Sequence, residues 1–163
     1  MRKAVAFTGP SNSGKTTLIE KIAQILVPNY KVCIVKNDPA DKARFDVAGK
    51  DSHKFFATGA EVAVVSPART TLFSHRTRSV DDVIDLFGDF DYLIVEGLKH
   101  LPLPRIAVFR GEVQPDYFAF AQAIAIDESI DVKAAAIPRT LDVLDLNNPQ
   151  MVIDWINRHA KEV

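Results

Sequence analysis

The sequence predicts an α/β fold, a three-layer sandwich around a mainly parallel central sheet with some antiparallel additions. Two observations predict it. Gly9-Pro10-Ser11-Asn12-Ser13-Gly14-Lys15-Thr16 satisfies the pattern G-x-x-x-x-G-K-[ST] at every fixed position. Around and beyond it, short apolar runs alternate with segments of helical periodicity, the order that builds a parallel sheet with helices on its faces. The 163 residues suit a single domain with a core large enough to need no disulfide or metal.

Each element follows from local sequence. Ala4 to Thr8 is a short apolar run that reads as a buried strand, and Lys15 to Val27 reads as a helix. In that helix Leu18, Ile19, Ile22, Ile25 and Leu26 recur at helical spacing, so one stripe packs on a sheet while Glu20, Lys21 and Gln24 stay wet. Lys31 to Val35 is a second strand, with Cys33 expected as a small buried thiol. The polar stretch from Lys36 to Lys50 is long for a compact domain and is either a switch-like segment or a solvated loop. Asp51 to Thr58 is expected to be helical and to end at Gly59. Val62 to Val65 is a strand closed by Ser66-Pro67, and Thr70 to Phe73 pairs nearby. Ser79 caps a helix over Val80 to Phe87, with Asp82 placed for a capping box and Gly88 ending it. Asp91 to Gly97 is an apolar strand with an acid at each end. Ile106 to Phe109, Gln122 to Ile126 and Val132 to Ile137 are further strand candidates, and the first of them and the Thr70 segment are the candidates for the antiparallel additions. Asn148 and Pro149 open a closing helix whose Met151, Val152, Trp155 and Ile156 form an apolar face.

The loop between the first strand and helix carries the chemistry. Unpaired backbone N–H groups and the positive end of the helix dipole converge there, which suits phosphate. A nucleoside triphosphate is therefore the expected ligand. Lys15 reaches the β- and γ-phosphates, Thr16 offers its hydroxyl to magnesium, and Thr17 lies beside it on the nucleotide side. Such a site needs an acid at the C-terminal end of a neighbouring strand. Asp91 begins its strand, about 17 Å from the ligand edge. Glu96 ends the same strand on the ligand side, before Gly97, and is assigned the metal-side role with a surface acid as its structural alternative. No N-K-x-D motif is present, and Val35-Lys36-Asn37-Asp38 has the wrong order and place. Asp127 is a candidate base-reading carboxylate or else a turn or helix-capping acid. The base is open at this point.

Net charge is −1, with 20 basic and 21 acidic side chains, so no global field recruits nucleic acid or an anionic membrane. One cysteine excludes a disulfide within the chain. His53 and His75 lack metal-ligand spacing, and no zinc site is expected. The N-terminus enters the first strand directly and no apolar run approaches the ~20 residues of a membrane span, which points to a cytoplasmic protein. Lys99, His100, Arg105 and Arg110 follow Glu96 and are either solvated side chains or contacts for a second anion or an acidic partner.

Beyond the loop, the motifs Phe45-Asp46-Val47-Ala48-Gly49-Lys50-Asp51-Ser52, Ala57-Thr58-Gly59-Ala60, Ser66-Pro67-Ala68-Arg69, Val95-Glu96-Gly97-Leu98-Lys99 and Pro104-Arg105-Ile106 stand at characteristic separations. In these the chain resembles the molybdopterin-guanine dinucleotide biosynthesis protein B family of small P-loop proteins, from Met1 to about Arg110. The resemblance implies a P-loop NTPase sandwich and a GTP-binding, weakly GTP-hydrolysing homodimer that uses magnesium. It implies a role assisting a separate molybdenum cofactor guanylyltransferase in attaching GMP to molybdopterin, with molybdopterin itself a further candidate contact. It also places Asp46, Gly49, Lys50, Asp51 and Ser52 on the nucleotide or metal side, with Asp51 joining Thr16 and Glu96 near magnesium and Lys15 and Glu96 closest to the reacting phosphate. One departure is visible. Family members commonly carry a histidine-rich stretch after the lysine that ends the second strand, whereas Lys36 is followed here by Asn37-Asp38-Pro39.

Three functions are weighed. The first is the slow GTPase accessory protein just described; no side chain stands out as a water-positioning base, and Arg69 and Arg105 are either structural or supplied across a dimer. The second is a P-loop small-molecule kinase using ATP, with Arg69, Arg76 and Arg78 as lid candidates. The third is a binding module whose nucleotide occupancy organises a surface for the transferase.

Overall fold

The computed structural model describes residues 2–163. In chain order the elements are β1 (Lys3–Thr8), α1 (Lys15–Leu26), β2 (Val32–Lys36), α2 (Asp51–Phe56), β3 (Val62–Val65), β4 (Thr70–Phe73), α3 (Val80–Phe87), β5 (Tyr92–Glu96), β6 (Arg105–Val108), β7 (Ala123–Ile126), β8 (Asp142–Asp145), α4 (Pro149–His159) and β9 (Lys161–Glu162), with a short 3-10 helix over Pro115–Phe120. They fall into two compact units, residues 2–37 with 89–163, and Asp38–Gly88.

The first unit is a sandwich around a sheet of order β2-β5-β1-β6-β7-β8. All five of these pairings are parallel. β6 meets only the second half of β1, Ala6 to Thr8, and β9 pairs antiparallel with Lys3 and Ala4 in the first half. Strands β6 and β7 are buried at every position, as strands covered on both faces must be. On one face Val5, Phe7, Ile94 and Val108 pack with Leu18, Ile19 and Ile22 of α1 and Val152, Ile153 and Trp155 of α4. On the other face Ala107, Phe109, Ile124 and Ile126 are covered by Ile130, Leu141 and the aromatic residues of the 3-10 segment. Trp155 is fully buried, donates its indole N–H to Asp142 at 2.7 Å and stacks on His159 with ring centroids 4.7 Å apart.

The fold class agrees with the sequence reading, and the departures have local causes. β6 is parallel, so the antiparallel pieces are the β3–β4 hairpin and β9. Val132 to Ile137 is not a strand. Asp131 accepts hydrogen bonds from the Lys133 and Ala134 amides at 2.9 and 3.4 Å, and this Asx-type turn wins over an alanine-rich run with little β-branched character. The strand comes later, as β8, whose flanking acids Asp142 and Asp145 hide it and whose Leu144 alone is buried. Ile25 and Met151 are exposed, off the packed faces of their helices. Cys33 is only half-buried because β2 is an edge strand, and partial burial raises its thiol pKa.

The second unit consists of α2, an antiparallel hairpin of β3 and β4 in register Val62 to Phe73 through Val65 to Thr70, and α3. Ser66 closes the hairpin, its amide donating to the Arg69 carbonyl at 2.9 Å. Ser79 and Asp82 form the expected capping box at the start of α3. The Phe56 ring stacks on His75 at 3.8 Å and lies 5.9 Å from Phe73. Among the described residues, none from 38 to 88 is buried.

Candidate functional site

β1 delivers the chain to the edge where the parallel strands end. Gly9 then takes φ +140°, and a Cβ there would stand 2.3 Å from the Val108 carbonyl oxygen, so only glycine lets the loop pass this close to β6. Gly14, at φ 92°, caps α1, and Lys15 to Thr17 form its first turn. Among the described residues no side chain caps this end, which leaves the first amides of α1 directed outward, the arrangement that receives phosphate.

Lys15 folds back over the loop. Its ammonium donates to the carbonyls of Gly9 at 2.9 Å and Pro10 at 2.7 Å. Burial holds its pKa below the ordinary lysine range; the Glu96 charge opposes that shift and the Lys36 charge adds to it. Two cavities meet at this lysine. One, of about 300 Å³, is bounded by Asn12 to Thr17 and Arg110. The other, of about 460 Å³, runs from Gly9 and Lys15 to Asn37, Glu96, Lys99 and His100.

Register places the acid. Glu96 pairs with Phe7 in β1 and with Lys36 in β2, so it lies at the sheet edge from which the loop departs. Asp91 lies at the other end of β5 and accepts the Lys31 amide at 2.8 Å. The Glu96 side chain is 15% exposed and bonds Lys36 at 3.1 Å, a cross-strand pair that sequence reading missed because it depends on β2 and β5 being neighbours. Gly97, at φ +90°, follows; its Cβ would meet the Asn37 side chain at 3.0 Å. Thr16 and Glu96 also line one further cleft of about 570 Å³, along with apolar Ile19, Val27 and Ile34.

Arg105 is structural. It is fully buried, and its guanidinium donates to the carbonyls of Gly97 at 2.7 Å, Leu98 at 2.9 Å and Leu101 at 3.4 Å, with burial lowering its pKa. It fixes the path of the chain after Glu96 and is unavailable as a group supplied across a dimer. Lys99 lies over the Tyr117 ring at 4.1 Å. Arg110 bonds Asp127 at 2.8 Å, and Ser129 holds the other oxygen of that carboxylate through its hydroxyl and, at 3.1 Å, its amide. These bonds lower the Asp127 pKa, Ser129 contributing most and Arg110 less.

A family model described as Molybdopterin guanine dinucleotide synthesis protein B matches residues 4–128. The chain belongs to this family. A curated relative from Haemophilus influenzae, a molybdopterin-guanine dinucleotide biosynthesis adapter protein, is 29% identical over 161 residues, covering 93% of this chain and 86% of the relative. The crystal structure of Bacillus subtilis MobB matches at a TM-score of 0.77, with 24% identity and 99% of each chain covered. The hydrogenase maturation factor HypB from Archaeoglobus fulgidus matches at 0.54, with 19% identity over 96% of this chain and 87% of that one. These two likenesses bear on the fold.

The remaining residues singled out by the MobB-family resemblance lie in the second unit. Asp46 accepts from the Val47 amide at 2.8 Å and the Ser52 hydroxyl at 3.0 Å, while its other carboxylate oxygen is buried with no partner among the described residues. Lys50 precedes α2, and Asp51 stands in its first turn, exposed and 3.6 Å from Lys54. Gly49 has φ +87° and open space around it. The structure thus joins Asp46 with Ser52 and leaves Lys50 and Asp51 facing solvent.

Proposed function

We propose that this chain is a GTP-binding accessory protein of molybdenum-cofactor maturation. It is a slow, magnesium-dependent GTPase that assists molybdenum cofactor guanylyltransferase in attaching GMP to molybdopterin. One observation carries the reading: a phosphate-binding loop with open cavities on both sides of Lys15, in a chain matched by the MobB family model over residues 4–128. The description of the Haemophilus influenzae relative as an adapter protein supports the accessory role.

In this reading the amides opening α1 and the side chains of Lys15, Thr16 and Thr17 hold the triphosphate, with the terminal phosphate toward Glu96. Lys15 exchanges its bonds to the Gly9 and Pro10 carbonyls for phosphate oxygens. The donor set suits magnesium: an exposed threonine hydroxyl and a carboxylate line one cleft, and this ion ordinarily takes few protein ligands beside phosphate and water. When bound, magnesium neutralises charge developing on the phosphates. Slow turnover is expected because Glu96, bonded to Lys36 through one oxygen, is assigned to the magnesium side and no other side chain stands out as a water-positioning base. Asp46, Gly49, Lys50 and Asp51 form the second group of proposed nucleotide or metal contacts, and the unpartnered oxygen of Asp46 supports a further donor or cation there.

The homodimer and the cytoplasm belong to the same proposal. The exposed apolar side chains of the second unit, Phe45 at 86% and Val65 at 76% among them, suit burial against another copy. No helix among the described residues is long and apolar enough to cross a membrane. The deciding experiment is equilibrium binding of non-hydrolysable GTP and ATP analogues with magnesium, with Lys15→Ala as control. Preference for the GTP analogue, lost in the variant, is the expected outcome; preference for the ATP analogue would sink the reading in favour of a small-molecule kinase.

A further inference from the structure

Arg110 and Asp127 stand at the ends of adjacent parallel strands, just after β6 and β7, on the same sheet edge as the phosphate-binding loop. Their contact has a direction. The Arg110 Nε donates to Asp127 Oδ2 at 2.8 Å, which leaves both terminal amino groups of the guanidinium without a protein acceptor among the described residues. One of these, Nη2, lies 3.7 Å from where a Cβ on Gly14 would be, beside the helix cap. The Arg110 side chain is 51% exposed and lines the 300 Å³ cavity with Thr16 and Thr17, and it lines neither of the two clefts that hold Glu96.

Asp127, in contrast, is occupied. Its carboxylate is 8% exposed, with one oxygen on Arg110 and the other on Ser129, whose hydroxyl in turn accepts the Gly111 amide at 2.8 Å. A carboxylate that reads guanine must accept from two base N–H groups, and this one already serves three protein donors. A guanidinium held through Nε presents its other edge as a two-pronged donor, the geometry that matches phosphate oxygens.

We infer that Arg110 is a phosphate-binding residue of the nucleotide site, clamping the phosphate nearest the ribose, and that Asp127 is a positioning residue for Arg110 and does not read the base. This rests on the nucleotide-binding reading above. With the terminal phosphate on the Lys15 and Glu96 side, the Arg110 side of the loop receives the opposite end of the phosphate chain.

The test is equilibrium binding of GDP, a non-hydrolysable GTP analogue and XDP to the full chain and to Arg110→Ala, Arg110→Lys, Asp127→Asn and Lys15→Ala. Arg110→Ala should weaken GDP and the GTP analogue by the same factor, about 10- to 100-fold for a lost charge-assisted contact. Arg110→Lys should recover part of that loss, which a purely structural role would not predict. Asp127→Asn should weaken both nucleotides by a few-fold and gain no preference for XDP. Three results overturn the inference: wild-type affinity in Arg110→Ala, a loss confined to the triphosphate, or a switch of Asp127→Asn from guanine to xanthine. If Lys15→Ala abolishes binding while Arg110→Ala does not alter it, this inference alone fails. Absence of nucleotide binding in the unaltered chain removes the underlying reading as well.

Discussion

The two units differ in where their apolar residues go. The sandwich buries its strands and the inner faces of α1 and α4, whereas residues 38–88 bury none, although Phe45, Phe55, Val65 and Leu72 are all there. A unit with no core of its own is held by local devices: a capping box, a tight hairpin turn and one stacked aromatic pair. The difference teaches that hydrophobic content does not measure stability; burial does.

The largest test of that contrast is a matched pair of truncations. Ile94→Ala, at a fully buried position in β5, should cost about 2–5 kcal/mol in denaturant unfolding, and Val64→Ala in β3 less than about 0.5 kcal/mol. Comparable costs would mean that the second unit has a hidden core, which a copy or partner would have to supply.

Arg105→Met comes next. It leaves three part-buried carbonyls short of a donor, and a loss of about 1–3 kcal/mol is expected in the same titration. Little change would show that the loop after Glu96 is held by packing alone.

In the second unit the comparable device is the cap. Ser79→Ala should cost about 1 kcal/mol, read as local loss of amide protection in α3 with the sandwich amides unaffected. Loss of protection spreading into β1 or β5 would break the division into two units.

The smallest effect is acidic. Asp127 has its pKa lowered in the folded state, so its contribution is present above the unfolded carboxylate value of about 3.9 and is lost as pH falls through the lower folded value. The stability difference between the chain and Asp127→Asn, below about 1 kcal/mol, should therefore shrink below about pH 4. Asp82 shifts in the same direction through its bonds to Ser79, so the acid loss should appear in both units.

Legibility divided along physical lines. The phosphate-binding loop, α1, β5 and the Ser79 cap could be read because each is specified by residues adjacent in sequence: two glycines and a lysine, an apolar stripe, an unbroken apolar run, a serine three residues before an aspartate. Glu96 could be placed because strand direction alone decides which end of β5 faces the loop. The Lys36–Glu96 and Arg110–Asp127 pairs could not, since both depend on strand order, which the sequence does not declare. Strand β8 was hidden for another reason. Its two apolar residues, Val143 and Leu144, stand between Asp142 and Asp145, too short a run to signal a strand beside the alanine-rich segment before it, and only pairing with β7 makes it one.

The chain's one tryptophan and all three of its tyrosines lie outside residues 38–88, which hold phenylalanine as their only aromatic residue of this kind. The molecule is therefore optically one-sided. Tryptophan and tyrosine emission comes from the sandwich alone, dominated by the buried Trp155 indole stacked on His159. Melting of the second unit passes without colour, and a fluorescence transition in this protein reports the integrity of its nucleotide-side sandwich.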